Sequence, residues 1–237
     1  MHYLFVDESY SREKGRKTII VTAWLVDQDA FNRFLSTSPD LYRTPILDRI
    51  NSMLESLDAW AVVAWATLDE DIFKTGEIDG TDDIRSMARP DNIWSQCFIF
   101  AVANLIAKIA YEDTEVGTVD IHFDPKSLKG DHSAAIGIAL RSMLVQAAKG
   151  YASELARLSS ARRQLLKKLN IRRIEPVRKA PSGQALDKFQ TGTWIADKLC
   201  SLLDIVRTRK LTRIIAIDMS DVVRKTAQQF DGKSFYE

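Results

Sequence analysis

Two cysteines, three histidines and a formal net charge of +1 are all that this 237-residue chain offers of those features. Each shortage closes a class of function. Cys97 and Cys200 cannot build a disulfide framework, and with the three histidines they do not show the spacing of a typical Cys/His zinc site. Both lie in apolar helical patterns, QCFIF and DKLCSLL, where a small buried residue is the ordinary role. With 33 Lys and Arg against 32 Asp and Glu, no global attraction to nucleic acid or to a membrane surface is expected. The apolar start stops at Asp7-Glu8, too soon for a signal peptide. The longest apolar run, CFIFAVANLIA from Cys97, falls short of a spanning helix. No Walker A loop, G-x-G-x-x-G fingerprint or G-x-S-x-G elbow occurs, so common NTPase, dinucleotide and serine-hydrolase chemistry lacks its loops. No repeat at a solenoid period and no low-complexity tract is visible. A soluble, reduced, cytoplasmic protein is the expectation.

What is present is a core: 46% of the residues are apolar, enough for one domain spanning 1–237. Residues 2–7 read as a strand, followed by a polar, glycine-containing turn (SYSREKGRK) and a second strand over 18–26, a hairpin with a longish loop. Asp27 or Asp29 caps a short helix to Leu35, and Pro45 opens another that runs to Leu57. Residues 60–67 (WAVVAWAT), apolar on both faces, predict an interior strand. The stretch 68–83, with seven carboxylates against one lysine, reads as a loop, a possible partner surface. A helix over 91–111, a strand over 119–124 and a helical pattern over 132–169 follow, the last with a break expected at Gly150. A strand at 171–177, a helix over 186–207, a strand or helix at 212–217 and a polar terminal helix complete the chain. The pattern predicts a mixed α/β sheet covered by helices, with a helical extension around 132–169.

Three carboxylates stand where such elements end or bury. Asp7 closes the first strand, and alternation puts Tyr3, Phe5 and Asp7 on one face with Leu4, Val6 and Glu8 on the other. Asp124 closes VDIHFD and shares a face with Asp120 and His122. Asp197 lies mid-helix in TWIADKLCSLL, and Gln190, Asp197 and Asp204, spaced by seven, fall near one helical stripe. One such acid is ordinarily a cap or a solvated charge. Three bear on chemistry only if the fold gathers them.

YLFVDES, HFD and FQTGTWIAD, taken together, resemble the domain of unknown function 3800 family. Its members begin with a strand ending in Asp-Glu-Ser-Gly and carry a Gln-x-x-Asp-like signature on a late helix. The resemblance spans about residues 1–203. Tyr10 stands where the family has glycine, and the gap from Gln190 to Asp197 is longer than the family's. The resemblance implies a ribonuclease H-like fold in which acids of the first strand, the fourth strand and a late helix converge at one sheet end and hold Mg²⁺ or Mn²⁺. By position these are Asp7, Asp124 and Asp197, as metal ligands and catalytic residues. Their type suits hard cations, which take carboxylate oxygens and can clamp a phosphodiester as a pair. Glu8, which belongs to the matched motif although alternation turns it to the other face, is the fourth metal ligand, with Glu175, Asp69 and Asp204 as the other candidates. The implied function is a metal-dependent nuclease acting on DNA or RNA and, by family analogy, within a bacterial or phage conflict system. The rival is a non-catalytic nucleic-acid- or protein-binding module with the same fold.

Charge is segregated. Residues 162–179 hold Arg162, Arg163, Lys167, Lys168, Arg172, Arg173, Arg178 and Lys179 against one acid, Glu175. Such a run is either a footprint for a phosphate backbone, for which Arg162, Arg163, Lys167, Lys168, Arg172 and Arg173 are the candidates, or a solvated helix end. It contains no aromatic residue on which a base could stack. Lys126, after Asp124, is a candidate phosphate contact. His122 reads as a core histidine or a partner of Asp124, and His132 as a neighbour of a helix cap. Trp24, Trp60, Trp65, Trp94 and Trp194 read as core.

Overall fold

The computed structural model describes residues 1–37, 49–69, 90–112, 117–124, 134–155, 159–178 and 184–229. Most of the predicted acidic loop, Pro45, Lys126, Lys179 and His132 lie outside the described residues.

The chain opens with two long antiparallel strands, β1 (His2–Glu13) and β2 (Arg16–Asp27), paired from His2↔Asp27 to Glu13↔Arg16. The predicted loop is therefore mostly strand. Only Lys14 and Gly15 turn the corner, both with positive φ (48° and 77°), as a two-residue hairpin matching the right-handed twist of its strands requires. Asp27 Oδ1 then accepts from the Asp29 and Ala30 amides and caps α1 (Gln28–Thr37).

Strands β3 (Trp60–Asp69), β4 (Thr118–Phe123), β5 (Asn170–Pro176) and β6 (Ile214–Asp218) complete a mixed sheet of six strands in the order β5-β4-β1-β2-β3-β6. β1 pairs with β4 and β4 with β5 in parallel, as does β3 with β6, so only β2 runs against the rest. The ambiguous segment at 212–217 thus resolves into a strand. The charged edge strand β5 exposes Arg172, Arg173 and Glu175, which discourages further edge pairing.

Among the described residues the remaining helices are α2 (Ile50–Ser56), α3 (Pro90–Glu112), α4 (Ala134–Leu155), α5 (Ser160–Lys168), α6 (Lys188–Cys200), α7 (Leu203–Thr208) and α8 (Ser220–Gln229). Alternation along β1 divides the core as the sequence predicts. Leu4 and Val6 join a cluster built with α3, α4, Leu166 of α5 and Val223 of α8. Tyr3 and Phe5 join a second one with Trp24, Phe31 of α1, Leu54 of α2 and Ile195 and Leu199 of α6. Helices therefore cover both faces of the sheet.

Packed between the sheet and α4, α3 buries residues all round, and this explains its unbroken apolar pattern. Over Ile93–Ala110 it is long and apolar enough to cross a membrane, more than the Cys97 run alone indicates, and two-thirds of that window is buried inside the fold. Two expected boundaries move. Helix α4 runs through Gly150, where a Cβ would meet open space, and α5 starts afresh at Ser160 with Ser159 as its N-cap. The late helix ends at Cys200, and α7 follows after a short turn.

Candidate functional site

The pairing of β1 with β4 ends at Val6↔Phe123, and the next residue on each strand is an acid. The Asp124 amide still donates to Val6 O at 3.3 Å, so Asp7 and Asp124 stand side by side where β4 ends and β1 runs on against β2. Both are 7% exposed. Oδ1 of Asp7 accepts from the Glu8 amide at 2.7 Å, which fixes the carboxylate against its own strand.

The third acid comes from α6. Asp187 and Gln190 form a capping box at its start, and Gln190 Nε2 also donates to Arg178 O at 2.9 Å. Gln190 therefore ties the segment after β5 to the helix. α6 buries Gly192, Ile195, Ala196 and Leu199. The Thr22 hydroxyl holds it to the sheet, donating to Ala196 O at 2.7 Å beside Asp7 O at 3.3 Å. Asp197 points the other way. Despite its apolar neighbours in sequence, its side chain is 52% exposed and paired with Lys198 Nζ at 3.0 Å.

These placements open a cleft of about 170 Å³, lined among others by Asp7, Asp124, Asp197, Gln190, Trp194 and Arg178. All three acids offer the oxygen donors that hard divalent cations prefer. Among the described residues, no three His, Cys, Asp or Glu side chains are drawn together closely enough to hold an ion. The acids share a cleft without forming a closed cage.

Glu8 faces away from this cleft, as strand alternation requires. Its Oε2 accepts from Trp94 Nε1 of α3 at 3.1 Å, and its Oε1 is enclosed. Burial pushes the Glu8 carboxyl up to about 8; Asp7 and Asp124 add to the rise, while Arg141 and the Trp94 hydrogen bond oppose it. Arg141 of α4 is 1% exposed, its guanidinium 3.8 Å from the centre of the Phe123 ring and 5.1 Å from that of Trp94. Burial lowers its pKa against the pull of Glu8 and Asp124. A buried cation thus backs the acids from the opposite side of the sheet.

The other candidates stand apart from the cleft lining. Glu175 pairs with Arg173 and Asp69 with Arg16, both near the surface. Asp204, on α7, borders a second cleft instead. The basic run divides. Arg162, Arg163, Lys167 and Lys168 lie on α5, which packs Leu166 into the cluster on the face opposite α6. The Arg162 guanidinium donates to Ala110 O at 3.0 Å. On β5, Arg172 forms a two-point ion pair with the buried Asp120. His122 is 2% exposed and packed on Tyr3, Phe5 and Phe189, the core reading rather than a partner of Asp124.

Sequence reasoning missed Trp194 and Arg178 as cleft residues and Arg141 as a buried cation. Trp194 had a signal: it lies four residues after Gln190 and three before Asp197, on the same helical side. Trp24, Trp65 and Trp94 are core, whereas Trp60 and Trp194 are only half-buried. Arg141 had a weaker one, a lone charge inside the apolar pattern ALRSML. Both cysteines are buried, and burial raises both thiols, Cys97 to about 12. No protein-family model matches the chain, and no curated protein shows significant similarity to it.

Proposed function

We propose that the protein is a ribonuclease H-like, divalent-metal-dependent nuclease that hydrolyses phosphodiester bonds in the cleft between β1, β4 and α6. One observation carries this reading: Asp7, Asp124 and Asp197, from the first strand, the fourth strand and a late helix, line one cleft together with Arg178. The family resemblance implies a closer convergence of the same three acids, around an ion. Asp7, Asp124 and Asp197 would hold Mg²⁺ or Mn²⁺, which supplies a water ionisable at neutral pH and offsets charge on the phosphodiester. The chain's own part is positioning. Asp7 and Asp124 are set by the sheet, Asp197 by α6, and Arg178 offers a phosphate contact at the cleft wall. Burial favours the neutral form of Glu8, and Arg141 sets a positive charge against Asp124.

The second reading, a non-catalytic nucleic-acid-binding module, draws on the Lys198–Asp197 ion pair and on the lack of a gathered acid trio among the described residues. Labelled single- and double-stranded DNA and RNA, incubated with Mg²⁺, Mn²⁺ or EDTA, separate the two. Cleavage that needs the metal and falls to background in Asp7→Asn and Asp124→Asn is the expected result. Binding without cleavage of any of the four establishes the module instead.

A further inference from the structure

The cleft that holds the acids does not end at Asp197. On its far side lies a second cleft, of about 260 Å³, bordered among others by Ser9, Ser11, Thr18, Asp197, Asp204 and Arg207. Its floor is built from the part of the hairpin that reads from sequence as a loop. The register places Ser11 opposite Thr18, and Thr18 opposite Thr67, so three hydroxyl side chains stand in a row across β1, β2 and β3. Thr18 and Thr67 share a hydrogen bond of 2.9 Å. Arg207 of α7 closes the row. Its Nη2 donates to Thr67 Oγ1 at 2.8 Å, and its guanidinium lies 5.5 Å from the Trp65 ring centre and 3.8 Å from Asp204. These contacts hold a cation at the end of a polar groove.

We infer that the two clefts form one path for a single nucleic-acid strand, with a base stacked on Trp194 and the sugar-phosphate chain passing Asp197 and the hydroxyls of Ser9, Ser11 and Thr18 to Arg207. The inference rests on the proposed function only in taking nucleic acid as the ligand. Chemistry supports it. Hydroxyl donors and a guanidinium are the groups that contact phosphate and sugar without reading sequence. Trp194 gives the aromatic face absent from the basic run, and base-on-ring stacking requires an unpaired base. Arg178 lines the first cleft and Arg207 the second, and Asp197 is common to both.

The test is fluorescence anisotropy of the full chain with labelled 12-nucleotide single strands of DNA and RNA and the matching duplexes, in Ca²⁺ and over a range of salt. Single strands are expected to bind tighter than duplexes. Trp194→Ala is expected to weaken single-strand binding about tenfold, and Trp194→Phe to retain most of it. Arg207→Gln is expected to reduce the salt slope by about 0.7, and Arg207→Lys to keep it while showing that the site still folds. Unchanged affinity in both Trp194→Ala and Arg207→Gln overturns the path. So does duplex-preferring binding that is lost when Arg163, Lys167 and Lys168 become Glu, or a parent that binds no strand. Absence of cleavage while the single-strand pattern holds overturns the nuclease reading and leaves the path standing.

Discussion

His122 sits on β4 two residues before Asp124, its ring centre 4.2 Å from that of Phe189 and 5.6 Å from that of Phe5. Its Nε2 makes no hydrogen bond among the described residues. Burial drives its pKa down to about 4, with Lys188 and Arg173 assisting and Asp120 and Asp187 opposing. The folded protein therefore keeps this ring neutral where the unfolded chain takes up a proton. Its contribution to stability is complete above about pH 6.5 and is lost as pH falls toward 4, a change of roughly 3 kcal/mol. His122→Phe keeps the stacked packing and removes the proton site. In urea titrations the variant should gain on the parent between pH 7 and pH 5. A gap that does not change with pH would show that His122 does not titrate in this window.

α6 meets β1 at Gly192, where a Cβ would fall 2.2–2.4 Å from ring atoms of Phe5. The Gly192 carbonyl also accepts from Trp24 Nε1 at 2.8 Å, so the helix backbone sits directly on the aromatic layer beside the acids. Gly192→Ala is expected to cost about 1–3 kcal/mol through overpacking. Adding Phe5→Leu should return part of that loss, because the two substitutions share one contact; additive costs in thermal melts would refute the close approach. Nothing in FQTGTWIAD marks this glycine, since close approach belongs to two elements and a pattern to one. The same limit explains which elements the sequence discloses. β3 and α3 are apolar because both are covered on two sides, and their patterns read directly. The outer half of the β1–β2 hairpin is polar strand and reads as loop. The stripe from Gln190 to Asp197 is real, but Asp204 falls on α7 because the chain turns after Cys200.

Across the whole molecule, the candidate site depends on sheet order. β4 lies beside β1 although two strands and a long helix intervene in sequence. Local periodicity places Asp7 and Asp124 at strand ends and cannot place them together. That step came from the family resemblance, while Trp194, Arg178 and Arg141 needed the fold. The arrangement has a thermodynamic consequence that requires no substrate. Asp7 and Asp124 are neighbours with little solvent, and both add to the rise in the Glu8 pKa that burial chiefly causes. Asp7→Asn relieves one of these charges and leaves an oxygen to accept from the Glu8 amide. Asp197→Asn gives up only a half-exposed ion pair, worth little on a surface. Without metal, both variants should melt no lower than the parent. Mn²⁺ at a hundredfold excess over its dissociation constant should stabilise the parent by about 2.7 kcal/mol, a rise of about 5–10 °C for a chain of this size. It should scarcely move either variant. A purely structural acid behaves in the opposite way, its loss lowering the metal-free melting point and leaving any metal response intact. If Asp7→Asn melts lower without metal and the parent responds to neither Mn²⁺ nor Mg²⁺, the three acids serve the fold, and the cleft is a binding surface.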